Sequence, residues 1–275
     1  MVSKICILIL THKSLNSSMA LFNNYAHVNF YIHVDLKSNF IEIYEDIKNL
    51  DNVFFIDNRV DVKWAAFSMV QATINLINFA LNHDEENEYF HLISGDDVAL
   101  MLPESLSWND DRIFMECYNS YSHRYRMRFD TFHADTQYQR SFFGKFLTQC
   151  CKFLDKIMPT NETFYFGSQW FSIRRFELEI ILNSITESDL IFFKKKLCPD
   201  EHFFQYLIKK NDLISNISSE GNKRFIVFDE NFQRGSSPIF LNRTQLDHAE
   251  RHRYWFARKV QQSVMKEYYQ EKFEV

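Results

Sequence analysis

Residues that interrupt regular structure are scarce in this 275-residue sequence, which has 5 glycines and 4 prolines. No stretch is rich in glycine, proline or serine, no segment is repeated, and no low-complexity tract occurs. Linkers between domains are usually made of such stretches. The sequence therefore predicts one domain over residues 1–275, long enough to bury a large apolar core.

Cysteines and long apolar runs are also few. The five cysteines, two of them adjacent at Cys150 and Cys151, form neither an even disulfide framework nor a metal-binding spacing. The apolar run at residues 5–10 is shorter than the core of a signal peptide and far below the roughly 20 residues that span a bilayer. We therefore expect a protein of the reducing cytoplasm.

Several familiar motifs are missing as well. The sequence has no G-x-G-x-x-G fingerprint, no G-x-x-x-x-G-K-[ST] loop and no G-x-S-x-G elbow, so it does not indicate a dinucleotide, P-loop or serine-hydrolase site. A net charge of −5 argues against nucleic acid as the main partner. Any anion that the protein binds must be held by a local basic cluster.

The first hundred residues alternate between strands and helices. Buried strands are predicted at residues 5–10, 29–34, 53–56 and 89–93, and apolar residues at helical spacing predict a helix over 66–81. This alternation indicates an α/β fold with a mostly parallel sheet covered by helices, in which ligands bind beyond the carboxyl ends of the strands. Three polar clusters fall at such ends: Thr11-His12-Lys13, His33-Val34-Asp35 and Gly95-Asp96-Asp97.

The remaining residues form less regular patterns. Strands are predicted at 112–118, 163–173 and 224–228, a loop at 121–141 and a helix at 142–158. The helix has apolar residues at 143, 147, 150, 154 and 157, a stripe that would most simply pack against the sheet. An interfacial helix, with Lys145, Lys152 and Lys156 at anionic headgroups, is the alternative.

Four features of the sequence could carry chemistry, each beside a structural alternative. Asp96 and Asp97 could hold a divalent cation or cap a helix. Gly167 could let the backbone approach a ligand at 167–170, or mark a bulge. Residues 251–259 (RHRYWFARK) could clamp a diphosphate or form a solvated helix face. The two acids of Pro199-Asp200-Glu201 could complement a helix N-terminus, or one of them could accept a proton.

Seven short motifs in one order are similar to those of the core-2/I-branching β-1,6-N-acetylglucosaminyltransferase and peptide O-xylosyltransferase family, glycosyltransferase family 14. They are THK (11–13), YIHVDLKS (31–38), VKWAAFSMVQATINLI (62–77), YFHLISGDDVAL (89–100), GSQWFSIRR (167–175), PDEHFFQ (199–205) and WFARK (255–259). The resemblance covers about residues 12–259 and is weak between 121 and 161.

The resemblance implies a GT-A fold, with a nucleotide-binding half at 1–100 and an acceptor and catalytic half at 101–275. It implies inverting transfer of a sugar from a UDP-sugar, N-acetylglucosamine or xylose above all, with no metal or other cofactor. A bacterial, cytoplasmic member is expected, because the anchor and cysteine framework of the animal enzymes are lacking. Its partners would be the donor and a glycan or lipid-linked acceptor in polysaccharide biosynthesis. The interfacial alternative for helix 142–158 would add peripheral contact to the cytoplasmic membrane.

The resemblance also implies roles for particular residues. Glu201 takes the place of the general base, Asp35 that of the uracil ligand, and Lys259 that of a diphosphate ligand together with Arg224 or Lys223. The residues expected to bind UDP are His12, Asp35, Arg224, Arg258 and Lys259. Those expected near the donor sugar and the acceptor are Trp64, Asp97, Gly167, Ser168, Gln169 and Trp170.

Two other functions remain open from the sequence. One is a metal-dependent GT-A transferase that uses Asp96 and Asp97. The other is a nucleotide-sugar or carbohydrate-binding protein that has kept the fold and lost turnover.

Overall fold

The computed structural model describes residues 4–102, 113–119, 121–139, 141–229 and 237–274. The strands are β1 (Lys4–Thr11), β2 (Asn29–Val34), β3 (Val53–Phe55), β4 (Asn87–Ser94), β5 (Asp97–Ala99), β6 (Ile113–Phe114), β7 (Tyr118–Asn119), β8 (Tyr165–Phe166), β9 (Ser172–Arg174), β10 (Arg224–Ile226) and β11 (Phe256–Arg258). The α-helices are α1 (Met19–Asn24), α2 (Phe40–Ile47), α3 (Phe67–His83), α4 (Tyr125–Arg128), α5 (Phe142–Ile157), α6 (Arg175–Asn183), α7 (Glu187–Lys194), α8 (Phe203–Lys210), α9 (Arg243–Arg251) and α10 (Gln262–Phe273). No helix within these ranges is both long and apolar enough to cross a membrane.

The central sheet has the strand order β3-β2-β1-β4-β9-β6. Strands β3, β2, β1 and β4 run parallel, whereas β9 pairs antiparallel with both β4 and β6. Almost every residue of β1 and β2 is buried, as expected for parallel strands covered on both faces. The predicted α/β class and mostly parallel sheet flanked by helices are confirmed.

Two apolar clusters cover the two faces of this sheet. Ile5, Ile7 and Ile9 belong to one cluster and Cys6 and Leu8 to the other, because successive side chains of a strand point to opposite faces. The first cluster includes residues of α1 and α10, and the second includes residues of α3 and α8. The sheet is therefore a buried layer, and the carboxyl ends of its strands are held rigidly.

A second, three-stranded sheet joins β5, which follows β4, to β10 and β11 in the last part of the chain. Its order is β10-β11-β5, with β10 and β11 parallel and β11 and β5 antiparallel. The register places Arg258 directly opposite Asp97, so their side chains lie on the same face. The basic segment before α10 is thereby brought to the acidic turn that follows β4.

The single strands predicted at 112–118 and 163–173 are each divided in two. Strand β6 pairs with β9 in the central sheet, whereas β7 pairs with β8 in a separate two-stranded ribbon. Between these pairs, residues 115–117 stand opposite residues 167–171, so the second segment is the longer one and bulges out of the ladder. Arg112 lies outside the described residues. The segment predicted as a loop at 121–141 contains the short helix α4.

Helix α5 occupies the predicted residues, but it does not bury the predicted stripe. Its buried residues are Gly144 and Asp155, while Phe143, Leu154 and Ile157 are exposed. The expectation that this stripe packs against the sheet is wrong, because the helix turns its polar and small residues inward.

Candidate active site

A cleft of about 400 Å³ opens at the carboxyl ends of β1, β2 and β4. Of the residues selected from the sequence, those that line it are His12, Asp35, Trp64, Ser168, Gln169, Trp170, Glu201, Arg258 and Lys259. Asp97, Gly167 and Arg224 lie outside its lining within the described part of the chain. Residues from both predicted halves of the sequence therefore meet in one place.

Asp96 holds two lysines at the base of this cleft. Lys13, which follows β1, forms an ion pair with its carboxylate, and the Lys259 Nζ lies 3.6 Å from Asp96 Oδ2. Burial alone would raise the pKa of Asp96, but the hydrogen bond and charge of Lys13, with a smaller effect of Lys259, hold it below its ordinary value. Asp96 is therefore ionised, and it gathers cations where a ligand can reach them.

Asp97 starts β5 and is buried beside the cleft rather than lining it. Its Oδ1 accepts a hydrogen bond from Arg258 Nη1 at 2.6 Å, and its Oδ2 accepts one from the Ser94 backbone N–H at 2.9 Å. The Ser94 hydroxyl also donates to Asp97 Oδ1 at 2.9 Å. Both carboxylate oxygens are thus occupied, and Arg258 is fixed by Asp97 and Ser94. We call Lys13, Arg258 and Lys259 the cationic cluster.

Trp170 gives the cationic cluster an aromatic neighbour. The ring of Trp170 lies 4.4 Å from the guanidinium carbon of Arg258, a distance at which the ring face attracts a cation. The Ser168 backbone N–H donates to Glu116 Oε2 at 3.1 Å, and the Ser168 hydroxyl accepts from the Trp170 backbone N–H at 3.3 Å. These contacts hold the bulge at 167–171 in place where it borders the cleft.

Pro199, Asp200 and Glu201 form a short 3-10 helix ahead of α8. The Glu201 carboxylate is partly exposed in the cleft and forms an ion pair with Arg126 of α4. Its backbone carbonyl accepts a hydrogen bond from the Gly167 N–H at 3.0 Å. A side chain at Gly167 would meet the Glu116 carbonyl oxygen at 1.9 Å, so glycine is required there, and its contribution is to position Glu201.

Asp200 lies in the first turn of the 3-10 helix, as the helix-terminus alternative expected, but its side chain does not cap α8. Helix α8 begins at Phe203 after the capping position His202, which makes no side-chain cap. Asp200 instead borders the cleft, and its buried Oδ1 has no hydrogen-bond partner among the described residues. Burial, and then the neighbouring charge of Glu201, raises the pKa of Asp200 to about 7.

Arg224 lies in β10 behind the cleft, fully surrounded by protein. Its guanidinium donates to the Phe171 carbonyl at 2.6 Å, the Leu92 carbonyl at 3.1 Å and the Ser172 hydroxyl at 3.2 Å. Burial lowers its pKa to about 9. Lys223 forms an ion pair with Glu220 and, like Arg224, is absent from the lining of the cleft as far as it is described. The structure therefore places Lys13, rather than either of these residues, beside Lys259.

Asp35 follows β2 at the opening of the cleft. Its Oδ1 accepts hydrogen bonds from the backbone N–H groups of Lys37 at 3.1 Å and Val62 at 3.4 Å. The nearby His33 ring accepts from the Val60 N–H at 2.9 Å, and burial lowers its pKa to about 4, so it is neutral at pH 7. Asp35 therefore orders its own turn and also borders the cleft beside the exposed ring of Trp64.

Two residues of this site were not selected from the sequence. Lys13 stands in one of the three polar clusters at strand ends and in the THK motif (11–13), which could have singled it out. Arg126 stands in an alternating run with Arg124 and Arg128, but alternation alone does not show which arginine faces the site. In the structure Arg124 and Arg128 pair with Asp155, whereas Arg126 pairs with Glu201.

A parallel sheet whose strand ends open into a cleft with a carboxylate and a cationic cluster is compatible with a GT-A-like glycosyltransferase. The profile of the Core-2/I-Branching enzyme family matches residues 6–267. The chain therefore belongs to this family of glycosyltransferases, as its motifs predicted.

One curated relative is the human "Probable beta-1,3-galactosyl-O-glycosyl-glycoprotein beta-1,6-N-acetylglucosaminyltransferase 7". It is 25% identical to this chain over 234 residues, which cover 80% of this chain and 53% of the human protein. The chain spans about half the length of that relative. The similarity supports the family, while the reaction of this chain has to be argued from its own site.

Proposed function

We propose that this chain is an inverting, metal-independent glycosyltransferase that moves N-acetylglucosamine from UDP-N-acetylglucosamine to a hydroxyl of a glycan. The observation that carries the proposal is that one cleft contains both Glu201 and the cationic cluster. A base and fixed cations are the two groups that displacement of a nucleoside diphosphate requires.

In the proposed step, the acceptor oxygen attacks the anomeric carbon while the bond from that carbon to the diphosphate oxygen breaks. The proton of the acceptor hydroxyl passes to the Glu201 carboxylate, and UDP departs with the bonding electron pair. A positioned general base is worth about 10²–10⁴ in rate. The Gly167 N–H and Arg126 hold Glu201 for this role, because they fix its backbone and its carboxylate.

The cationic cluster supports a reaction without a metal. Lys13, Arg258 and Lys259 together carry one positive charge more than Asp96 and Asp97 neutralise. The lysines can turn from Asp96 to the phosphates, as their flexible side chains present movable donors. Asp97 already uses both carboxylate oxygens in hydrogen bonds, so a metal ion would have to compete with Arg258 and Ser94 for them.

The two ends of the donor are assigned to different parts of the cleft. Asp35 is proposed to contact the uracil ring and His12 the nucleotide, while the cationic cluster holds the diphosphate. Trp64, Ser168, Gln169 and Trp170 are proposed to contact the donor sugar and the acceptor. N-acetylglucosamine is chosen as the donor sugar because the name of the human relative specifies its transfer. The proposed acceptor is a glycan, including a lipid-linked one.

The test is a donor screen with two measurements. Thermal shift measurements with UDP-N-acetylglucosamine, UDP-xylose, UDP-glucose and UDP-glucuronate identify the donor. Slow release of UDP measures hydrolysis of the donor, in which water takes the place of the acceptor. We expect the largest shift with UDP-N-acetylglucosamine and UDP release that persists in EDTA. Loss of release in EDTA would instead establish a metal-dependent transferase. Binding without release, in the parent as in Glu201→Gln, would show a binding protein.

A further inference from the structure

Helix α5 is attached to the protein by polar and small residues. Gly144, Thr148, Cys151 and Asp155, spaced by four, three and four residues, form its inner face, as a period of 3.6 residues requires. The Thr148 hydroxyl lies 3.3 Å from a ring nitrogen of His133. Of these four residues, Cys151 packs against a small apolar cluster. An inner face of this kind gains little from apolar burial.

Asp155 is the anchor of this inner face. It is buried, and its carboxylate forms ion pairs with Arg124 Nε at 2.9 Å and with Arg128 Nη1 at 2.7 Å. Arg128 also donates to the Met158 carbonyl at 2.7 Å. Because both arginines belong to the segment of α4, the helix is held firmly even though its apolar side chains face away from the protein.

The outer face of α5 consists of large apolar side chains in solvent. Phe142, Phe146, Phe153 and Ile157, spaced by four, seven and four residues, are 89%, 57%, 62% and 58% exposed. Phe143 beside them is also exposed. Single exposed apolar residues need no explanation, but several large apolar side chains on one face of a helix mark an interaction surface.

Lysines border one edge of this row. Lys145, Lys152 and Lys156, spaced by seven and four residues, form one stripe. Lys145 and Lys156 are exposed, whereas Lys152 is half-buried and its ammonium group lies 5.3 Å from the centre of the Tyr125 ring. No carboxylate of the described residues lies within ion-pair distance of the three ammonium groups, and the one acid of the helix, Asp155, points inward to its arginines. The outer surface is therefore both apolar and positively charged.

We propose that α5 docks on an anionic lipid bilayer, with its phenylalanines at the acyl boundary and its lysines at the headgroups. Phenylalanine and lysine in adjacent stripes on a helix parallel to the surface are the pattern that binds such membranes. A bilayer fits better than a protein, because the surface supplies a row of apolar side chains beside two exposed lysines, Lys145 and Lys156.

The same contacts connect the docked helix to the cleft. Asp155 holds Arg124 and Arg128, which flank Arg126, and Arg126 pairs with Glu201. The candidate base is therefore joined to α5 through residues 124–128, in which Arg124 and Arg128 pair with Asp155 and Arg126 pairs with Glu201. A cleft held in this way is placed at the membrane surface, where a lipid-linked acceptor would be presented.

The test is flotation of the protein with vesicles, which does not depend on enzymatic activity. We expect the parent to float with vesicles of phosphatidylcholine and phosphatidylglycerol, and to float much less with phosphatidylcholine alone or at high salt. A parent that stays in the soluble fraction with both vesicles, or that binds both equally, would overturn the proposal.

Two sets of variants separate the contribution of the α5 lysines from that of the general positive charge of the protein. Changing Lys145 and Lys156 to Gln should lower the partition coefficient about 25-fold, because each lysine near an anionic surface contributes about fivefold. The control changes two other exposed lysines, Lys209 and Lys266, to Gln, and should float like the parent. Equal losses in the two sets would show that general charge rather than α5 is responsible.

The phenylalanines are tested in the same way. The variant Phe146→Ser with Phe153→Ser should lose flotation, whereas Phe176→Ser, at a residue of α6 that is 62% exposed, should retain it. Circular dichroism and thermal unfolding establish that the variants are folded. Sedimentation of the parent as a dimer that the Phe146 and Phe153 changes make monomeric, without flotation, would overturn the proposal and assign the face to a second copy.

Discussion

Two parts of the cleft are built in different ways: the cationic cluster and the 3-10 helix that contains Asp200 and Glu201. Lys13, Arg258 and Lys259 stand at strand ends, where the sheets fix the backbone and every cation already has a carboxylate partner. Glu201 stands on a single 3-10 turn, which depends on Gly167 and Arg126 from distant parts of the chain. The proposed binding of the diphosphate therefore depends on sheet topology, whereas the proposed proton transfer depends on a few long-range contacts.

This difference predicts that changes at Glu201 affect turnover far more than binding. Glu201→Gln should lower kcat by about 10² or more, because a neutral amide cannot accept the proton, and leave UDP affinity nearly unchanged. Steady-state kinetics and calorimetry measure the two quantities. Glu220→Gln, at an exposed acid outside the cleft, is the control. Near-normal turnover in Glu201→Gln would remove this residue from the mechanism.

Changes in the cationic cluster should have the opposite signature. Lys259→Ala and Lys13→Ala should each weaken UDP by about tenfold to a hundredfold, because a charged hydrogen bond is worth about 1.5–3 kcal/mol. Uridine, which lacks the diphosphate, should bind almost as before. Calorimetry with both ligands makes the measurement, and Lys209→Ala is the control.

Binding of UDP and uridine to two further variants shows which residue assists Lys259 in holding the diphosphate. If Arg224→Gln weakens UDP selectively and Lys13→Ala does not, then the family assignment of Arg224 holds and the role of Lys13 proposed here is wrong. Equal losses of UDP and uridine in either variant would point to a structural effect.

A smaller effect is expected at Asp35, where the turn and the proposed uracil contact share one side chain. Asp35→Ala should reduce the preference for uridine over other nucleosides by about tenfold, the loss of one charged hydrogen bond. Asp35→Asn keeps an oxygen that can accept from Lys37 and Val62, so it separates the turn from base recognition. Competition binding with four nucleosides gives the selectivity. Unchanged selectivity in Asp35→Ala would leave Asp35 as a turn residue.

The last effect is on stability rather than on binding or turnover, and it concerns Asp200 in the 3-10 helix that also contains Glu201. Its pKa is about 7 in the folded protein, against an ordinary value of 3.8. Between about pH 4 and pH 7 the folded state therefore binds more protons than the unfolded state, and the Asp200 contribution to stability falls as pH rises. Above pH 7, Asp200→Asn should be more stable than the parent, because the neutral amide avoids the cost of burying a charge.

Urea unfolding of parent and variant across this pH range measures the difference. The gap between the two free energies of unfolding should be small near pH 4, grow toward pH 7 and then level off. A gap that does not change with pH would show that Asp200 titrates normally.

Two long helices show what the sequence could not decide. Both α3 and α5 have apolar residues at helical spacing, and both were predicted close to their observed ends. Helix α3 buries Val70, Ile77 and Ala80 against the sheet, whereas α5 exposes its phenylalanines and buries Asp155. An apolar stripe identifies a helix with two faces, but the partner of each face depends on residues far away in the chain.

In the cleft, too, some features follow from the local sequence and others depend on residues far away in the chain. The strands β1, β2 and β4, and with them the polar ends at His12, Asp35 and Asp96, followed from local apolar patterns, because buried parallel strands are continuous apolar runs. The order of motifs predicted the family and singled out Glu201, Arg258 and Lys259, which do line the cleft. Local pattern and motif order thus determined the fold class and most of the residues at the cleft.

Only the tertiary structure decided which charges meet. It paired Lys13 and Lys259 with Asp96, Arg258 with Asp97, and Arg126 with Glu201, and it placed Arg224 behind the cleft. Each pair joins residues separated by 75 or more positions, so no local pattern contains the information. Ion pairs of this kind depend on the packing of whole elements, since the sheets and α4 determine where each backbone lies and therefore which side chains can reach each other.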